Sequence, residues 1–202
     1  MSTIVRAEFP RVRFTCVLCG ECCRRYWIPV THRDVIRIAR YTGGMRPREF
    51  LALFPKDMAA DWDEPVIRLR DGEYYLVLKK RLDGTCIFNK WVGDKLICSV
   101  HPVKPNVCRY YPFIYWLNNG VVKFEVYDKA LGYCPGIGRG GGYANFRVEI
   151  SSIEDSVKAK AEFREVIEKW NEQFKRRLVK GTIEEFMNYI EAVVDEYSRK
   201  NP

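Results

Sequence analysis

The sequence has no apolar stretch of about 18 residues, the length at which a membrane-spanning helix becomes plausible, and its first residues lack the apolar core of a secretory signal. We therefore predict a cytoplasmic protein that does not enter a membrane. Thiols stay reduced in that compartment, so clustered cysteines indicate a metal site more often than disulfides. A single glutamine and 30% charged residues favour a thermophilic source, where intracellular disulfides are the alternative.

Several catalytic signatures are missing as well. The sequence contains no His-Glu-x-x-His and no Gly-x-Ser-x-Gly, so neither pattern supports a hydrolase. The glycine-rich segment 136–142 lacks the Gly-Lys-Ser/Thr ending of a phosphate-binding loop, and we interpret it as a flexible loop that packs near the metal site. Hydrophobic residues make up 47% of the chain and aromatic residues 14%, which is ample for a packed core.

Cysteine is the residue whose arrangement is unusual. Four of the eight cysteines fall within eight positions, as Cys16, Cys19, Cys22 and Cys23. The C-x2-C-x2-C spacing lets one tight loop turn three thiolates toward a common centre; ferredoxins use this spacing, and zinc sites use its first half. Gly20 suits such a loop because glycine reaches positive φ at little cost.

The other four cysteines lie beside turn-forming residues, where ligands held by a rigid scaffold are expected. They are Cys86, Cys98, Cys108 and Cys134. The step from Cys134 to Pro135 repeats the Cys-Pro that closes the ferredoxin ligand pattern. We predict that all eight cysteines are metal ligands; disulfides and inert buried thiols are the alternatives.

The spacing further suggests two neighbouring sites, or one polynuclear site. We define a first cysteine group, predicted to hold a 4Fe–4S cluster with zinc as the alternative, as Cys16, Cys19, Cys22 and Cys134. The second cysteine group consists of Cys23, Cys86, Cys98 and Cys108. A neighbour of Cys22 points elsewhere in most loop geometries, so Cys23 is predicted to bind a second ion, to bridge, or to be a reactive thiol.

These residues resemble a known family, the CxxCxxCC cysteine-cluster proteins. The similar segments are Cys-x2-Cys-Gly-x-Cys-Cys, Cys86-Ile-Phe, Ile97-Cys98, Lys104-Pro105-Asn-Val-Cys108-Arg109-Tyr-Tyr-Pro112-Phe113 and Cys134-Pro-Gly-Ile-Gly. The resemblance runs from about Phe14 to Gly142, with Lys104 where the family typically has arginine. Members are described as zinc- or iron-chelating, and flagellin lysine N-methylase is a relative. The resemblance implies a metal or iron–sulfur centre and no particular reaction.

Three functions are compatible with these observations. We favour an iron–sulfur protein with a redox or electron-transfer role, because C-x2-C-x2-C followed by a distant Cys-Pro matches the cubane pattern. The second is a zinc-binding structural or interaction module. The third is a methyltransferase-like enzyme, which the family resemblance alone implies. The sequence does not decide whether the chain is an enzyme; an iron–sulfur oxidoreductase and a methyltransferase-like protein are the two enzyme hypotheses.

Local signals predict an α+β fold with a small, irregular cysteine-rich core of antiparallel hairpins and short helices. Three hairpins are predicted around glycine-containing turns. They span 66–78 around Asp71-Gly72, 86–98 around Gly93-Asp94 with a first strand at 86–88, and 113–127 around Asn119-Gly120. A capping-box pattern at residues 31–34 predicts a helix ending near Gly43, and Pro47 favours a short helix through Phe50, Leu51 and Phe54.

The last quarter of the chain has helical periodicity. Capping boxes at residues 151–154 and 182–185 begin two predicted helices, and Gly181 separates them. Their apolar stripes include Phe163, Trp170, Phe186 and Ile190. We predict a cysteine-cluster metal-binding domain over residues 1–145 and a C-terminal helical hairpin over residues 146–202 that packs on it.

Charge and histidine content limit the remaining hypotheses. The net charge is +8, but the basic clusters are short and scattered, which is typical of solvated faces rather than of nucleic-acid binding. A redox partner, a protein substrate and a homodimer formed through the C-terminal helices remain as partner hypotheses. His32 is predicted to be exposed, and His101 is the better ligand candidate of the two histidines, although eight thiolates suffice. Cations flank the predicted ligands at Arg24, Arg25, Lys104 and Arg109.

Overall fold

The structure is a computed structural model that describes residues 6–59, 62–144 and 150–200, the last range with side chains from residue 153 onward. The described elements form the α+β fold that the sequence predicts. The helices are α1 (Glu21–Arg25), α2 (His32–Tyr41), α3 (Pro47–Phe50), α4 (Asn106–Tyr110), α5 (Ile150–Lys175) and α6 (Ile183–Lys200). Within the described residues, no helix is long and apolar enough to cross a membrane.

The strands form small sheets in three places. Strand β4 (Gly72–Leu78) lies between β2 (Leu51–Pro55) and β3 (Ile67–Leu69), and both neighbours are antiparallel to it. A second sheet has the order β1 (Arg6–Glu8), β8 (Val121–Val126) and β7 (Phe113–Asn118). The third is the hairpin of β5 (Asn89–Val92) and β6 (Lys95–Cys98).

The hairpin predictions at 66–78 and 113–127 are confirmed, but the strand predicted at residues 86–88 is wrong. The first strand of that hairpin begins at Asn89, which pairs with Cys98. Residues 86–89 form a turn instead, in which the Asn89 N–H donates to the Cys86 carbonyl at 2.9 Å. The hairpin glycine pattern located the turn correctly, but it did not show how far the strands extend.

The helix predicted through Leu51 and Phe54 is also wrong. Helix α3 ends at Phe50, and the chain continues as β2, which pairs with β4 from Leu51 opposite Leu78 onward. Both predicted apolar residues are buried, but through strand pairing rather than a helical stripe. Tertiary contacts have overridden local propensity here.

Helices α5 and α6 share one apolar core with α2 and the β2–β4–β3 sheet. Trp170 of α5 meets Phe186 of α6 edge to face, with ring centroids 5.2 Å apart, and both side chains are buried. The capping box at Thr182 and Glu185 is confirmed. The box predicted at 151–154 and the boundary predicted at residue 145 lie outside the fully described residues.

The prediction that His32 is exposed is wrong. Its side chain is 0% exposed, and its ring lies between those of Phe163 in α5 and Tyr197 in α6. Both ring nitrogens are buried, and neither has a hydrogen-bond partner in the described part of the chain; the nearest carboxylate oxygen, on Glu162, lies 3.6 Å from Nε2. Desolvation lowers the pKa of His32 to about 4, although the charge of Glu162 opposes the shift.

Because this pKa is depressed, His32 should make the fold acid-sensitive. The unfolded chain takes up a proton near pH 6.5 whereas the fold resists it down to about pH 4, so stability falls across that window as pH decreases. The expected loss is about 3 kcal/mol. Urea unfolding of the wild-type chain and of His32→Phe at pH 7 and pH 4 measures it; acid releases thiolate-bound metal from both chains alike, so the wild type should lose about 3 kcal/mol more than the variant. An equal loss in the two chains would show that other groups cause it.

Candidate metal centre

The 16–23 loop is held against the β5–β6 hairpin by backbone contacts. Leu18 and Gly20 both have positive φ, and the Leu96 N–H donates to the Leu18 carbonyl at 2.9 Å. Gly20 is buried so tightly that an added Cβ would lie 2.1 Å from the Leu96 side chain. The predicted need for glycine therefore has two causes, conformation and close approach. Helix α1 starts directly after Gly20 and carries Cys22 and Cys23.

Replacing Gly20 with alanine should separate these two causes. Gly93 is a matched control, because its φ of 62° is close to the 71° of Gly20 and its position is open. Gly93→Ala should cost about 1 kcal/mol of unfolding free energy from backbone strain alone. Gly20→Ala should cost about 3 kcal/mol, since the clash with Leu96 adds to the strain. Denaturant unfolding measures both, and equal losses would contradict the close approach.

The Cys134 loop is joined to the segment that precedes Cys16. Thr15 donates its N–H to the Gly136 carbonyl at 3.1 Å, and Gly138 donates to the Arg13 carbonyl at 2.8 Å. Cys134 follows a short 3-10 turn, and burial raises the pKa of its thiol. The charges of Cys19 and Cys16 raise this pKa further, which puts these three predicted first-group cysteines in one neighbourhood.

The turn at residues 86–89 positions Cys86. The Asn89 side chain accepts the Cys86 N–H at 3.1 Å, and the guanidinium of Arg81 donates to the carbonyls of Cys86, Ile87 and Asn89 at 3.2, 2.5 and 2.5 Å. Neither Arg81 nor Asn89 was singled out from the sequence. Both are recognisable only once the turn is formed, because their partners are mainly backbone groups.

Cys98 ends β6, and Cys108 lies in the short helix α4. The start of α4 is tied to α2, because the Asn106 N–H donates to the buried Asp34 carboxylate at 3.2 Å. Burial raises the pKa of the Cys108 thiol, and the charges of Cys23, Cys86 and Cys98 raise it further. All four members of the second cysteine group are therefore electrostatic neighbours.

Three of the cysteine sulfurs accept hydrogen bonds from backbone N–H groups two residues further along. Phe88 donates to Cys86, Val100 to Cys98, and Gly136 to Cys134. Each N–H favours the thiolate and lowers the pKa of its cysteine, but burial outweighs this effect and the pKa of Cys86 rises to about 12. Such turns suit a cysteine that stays ionised only when an adjacent cation is bound.

Cys22 and Cys23 connect the two groups. Their sulfurs lie 3.8 Å apart and share a hydrogen bond. That hydrogen bond lowers the pKa of Cys23 to about 7, supported by a hydrogen bond from Asn89. The same hydrogen bond and burial raise the pKa of Cys22, which also feels the charges of Cys108 and Cys16. Cys22 is therefore near members of both groups.

Two lysines supply positive charge to the second cysteine group. Lys80 favours the thiolates of Cys23 and Cys86, and Lys104 favours those of Cys23, Cys98 and Cys108. Four thiolates around a divalent ion carry a net charge of about −2, which two ammonium groups offset. Lys104 flanks Cys108 in sequence as predicted, whereas the role of Lys80 became apparent only from the fold.

His101 and Arg109 lie at the edge of the site. His101 is exposed, its Nε2 atom is 3.4 Å from the Lys104 ammonium, and the charges of Lys104 and Arg109 lower its pKa. The cationic neighbours of His101 disfavour protonation of its ring, but they are not evidence that His101 binds a metal. The Nε atom of Arg109 is buried and has no hydrogen-bond partner in the described part of the chain.

A cluster of tyrosines borders the first cysteine group. The ring centroids of Tyr111, Tyr127 and Tyr133 lie 5.6, 5.6 and 6.0 Å from that of Tyr26. The hydroxyls of Tyr111 and Tyr133 are hydrogen-bonded to each other, and the charge of Cys22 acts on Tyr133. Tyr111 is half-buried, and its hydrogen bond to Tyr133 places it in the neighbourhood of Cys22.

The chemistry of the donor side chains fits a metal. Within the described residues, no three His, Cys, Asp or Glu side chains are arranged so that they could hold an ion. The eight cysteines are all free thiols, and their charges act on one another. Backbone N–H groups donate to three of the sulfurs, and lysine side chains lie near the second cysteine group. Soft thiolate sulfurs in this setting suit zinc, iron or an iron–sulfur cluster.

Comparisons with known proteins agree with this chemistry. The family model "CxxCxxCC: Putative zinc- or iron-chelating domain" matches residues 15–135. The uncharacterized protein MJ0661 of Methanocaldococcus jannaschii is 26% identical over 155 residues, which cover 72% of this chain and 74% of that protein. No solved structure gives a significant match.

Proposed function

Because the chain belongs to the CxxCxxCC family, whose model covers residues 15–135, we propose that it binds metal through its eight cysteines, divided between the two cysteine groups. The observation that carries the proposal is the electrostatic grouping of the sulfurs, in which Cys22 lies between the groups and interacts with Cys16, Cys23 and Cys108. Cys134 interacts with Cys16 and Cys19, whereas Cys108 interacts with Cys23, Cys86 and Cys98.

For the first cysteine group we propose a 4Fe–4S cluster with a redox or electron-transfer role. The C-x2-C-x2-C run and the distant Cys134-Pro135 step support this choice. Arg24 and Arg25 are both exposed and both pair with Glu21, so this face keeps a net positive charge that would favour a negatively charged redox partner. Cysteines would hold the cluster, and the cluster would supply one-electron chemistry.

For the second cysteine group a single zinc or iron ion is the better candidate. Turns that aim an N–H at the sulfur of Cys86 and Cys98, together with burial against the main core, support a mononuclear structural site. Lys80 and Lys104 would balance its charge. Zinc in both groups is the alternative function, and it would make the protein a structural or interaction module.

Metal and sulfide analysis of anaerobically purified protein tests this proposal. We expect iron and acid-labile sulfide in equal amounts, plus one further ion per chain. Cys19→Ser should remove the sulfide and leave the further ion in place. Cys86→Ser should remove the further ion and leave the sulfide in place. If the analysis finds zinc and no sulfide, the protein binds zinc in both groups and the 4Fe–4S proposal is wrong. Protein that contains neither metal, and that takes up none after reduction, would contradict the proposal as a whole.

A further inference from the structure

We propose that the two cysteine groups differ in accessibility: metal at the first group exchanges with solution donors, whereas metal at the second group is locked in the core. This inference rests on the proposed function, and it assigns a separate role to each group. The first would be where the protein gains, loses or reacts through its metal. The second would hold the fold together.

Packing of the second cysteine group against the main apolar core supports the locked site, although Cys23, Cys98 and Cys108 are themselves half-buried. Cys86 is 5% exposed and belongs to the main apolar core, against which Cys23, Cys98 and Cys108 also pack. That core includes Leu51 of β2 and Trp170 of α5, so it joins sheet and helix residues from distant parts of the chain. A donor from solution would reach an ion held there only after the surrounding core had opened.

The first cysteine group has a different setting. Cys16 is exposed, and Cys19, Cys22 and Cys134 are half-buried. Among the described residues, none of these four belongs to or packs against an apolar core cluster. Their segments are held to the rest of the fold mainly by backbone hydrogen bonds and glycine contacts, such as that between Thr15 and Gly136.

Cys16 is the ligand that would leave first. In a thiol exchange, the sulfur of an incoming thiol bonds to the metal on its solvent side, and the bond between the metal and Cys16 breaks. The proton that the incoming thiol loses passes to Cys16, which leaves as a neutral thiol. No oxidant or reductant is required. The reaction is therefore the substitution of one thiol ligand by another at a soft metal centre, and it applies to a cluster iron as well as to a single ion.

Release of metal from the full chain as purified, measured anaerobically after adding EDTA, tests the inference. We expect two phases, the faster by about tenfold or more, because local opening needs less free energy than opening of the core. Cys16→Ser should abolish the fast phase and preserve the slow one. A single phase with all metal released at one rate would overturn the inference while leaving metal binding intact.

Alkylation supplies a second readout that does not depend on a variant's folding. Iodoacetamide is added to the metal-bound wild-type chain, and the labelled cysteines are identified by mass spectrometry over time. Cys16 and Cys134 should be modified first, and Cys86 and Cys108 last. Labelling of Cys86 as fast as Cys16 would overturn the difference in accessibility. A chain without bound metal would instead refute the proposed function, which separates the two failures.

Discussion

Removing the metal is expected to abolish most hydrogen-exchange protection in residues 16–26 and 84–110. These segments contain seven of the eight cysteines, and their elements are short, the longest helix among them being the five-residue α1 or α4. Structural metal sites of this kind contribute on the order of 10 kcal/mol to folding. Without an ion, the thiols of Cys86 and Cys108 stay protonated and nothing draws them together.

The helical pair is the internal control for this experiment. Its contacts are apolar, with Trp170 against Phe186, and α6 has its own capping box. Amides of α6 should therefore keep more protection than those of α4 after the metal is removed. The comparison needs metal-bound and reduced metal-free samples at the same pH. Equal protection in the two samples at residues 84–110 would show that the metal does not support this region.

Asp34→Ala is expected to cause the largest loss of stability among variants that leave every cysteine in place. The buried carboxylate accepts from the Thr31 N–H at 2.9 Å, the Asn106 N–H at 3.2 Å and the Arg37 guanidinium at 2.6 Å. Alanine would leave the N–H groups of Thr31 and Asn106 unpaired, and the link between α4 and α2 would then depend on the hydrogen bond from the Arg37 guanidinium to the Asn106 side-chain oxygen, 3.2 Å long. The expected cost is about 3–4 kcal/mol, read from denaturant unfolding of the metal-bound chain.

Glu185→Ala is the matched control, because Glu185 holds the same capping-box position in α6 and, in the described part of the chain, its hydrogen bonds stay within that cap. Its expected cost is about 1 kcal/mol, the usual value for a cap. Asp34→Asn should fall between the two variants, since the amide oxygen still accepts but the charge facing Arg37 is lost. If Asp34→Ala cost no more than Glu185→Ala, the link between α2 and α4 would contribute nothing to stability.

Features encoded by neighbouring residues could be predicted from the sequence. The capping boxes at Thr31 and Thr182 depend on a partner three residues away, and the hairpins at Asp71-Gly72 and Asn119-Gly120 depend on turn conformation. Gly20 was predicted from the loop spacing in the same way. All of these are local, so no knowledge of the fold was required.

Features that depend on distant segments were missed. In the sequence, His32 is a polar residue at the start of a helix, which is typical of an exposed position. It is buried because residues of α5 and α6 cover it. Leu51 and Phe54 fit a helical stripe as well as a strand, and β4 decides between them. Lys80 and Asn89 acquire their positions beside Cys23 only after the chain has folded. In the candidate site, the cysteines and the flanking Lys104 could be proposed from the sequence, whereas Lys80 and the amide donors could not.

The ligand division stays a prediction that a cobalt titration tests directly. Co²⁺ is added to the reduced, metal-free full chain, and the thiolate-to-cobalt absorption is recorded together with the number of thiols still reactive. The account predicts a break at two ions per chain, with all eight thiols protected, and a break at one ion in both Cys19→Ser and Cys86→Ser. Absorption that rises without a break, or thiols that remain reactive at saturation, would contradict the claim that the eight cysteines form two metal sites.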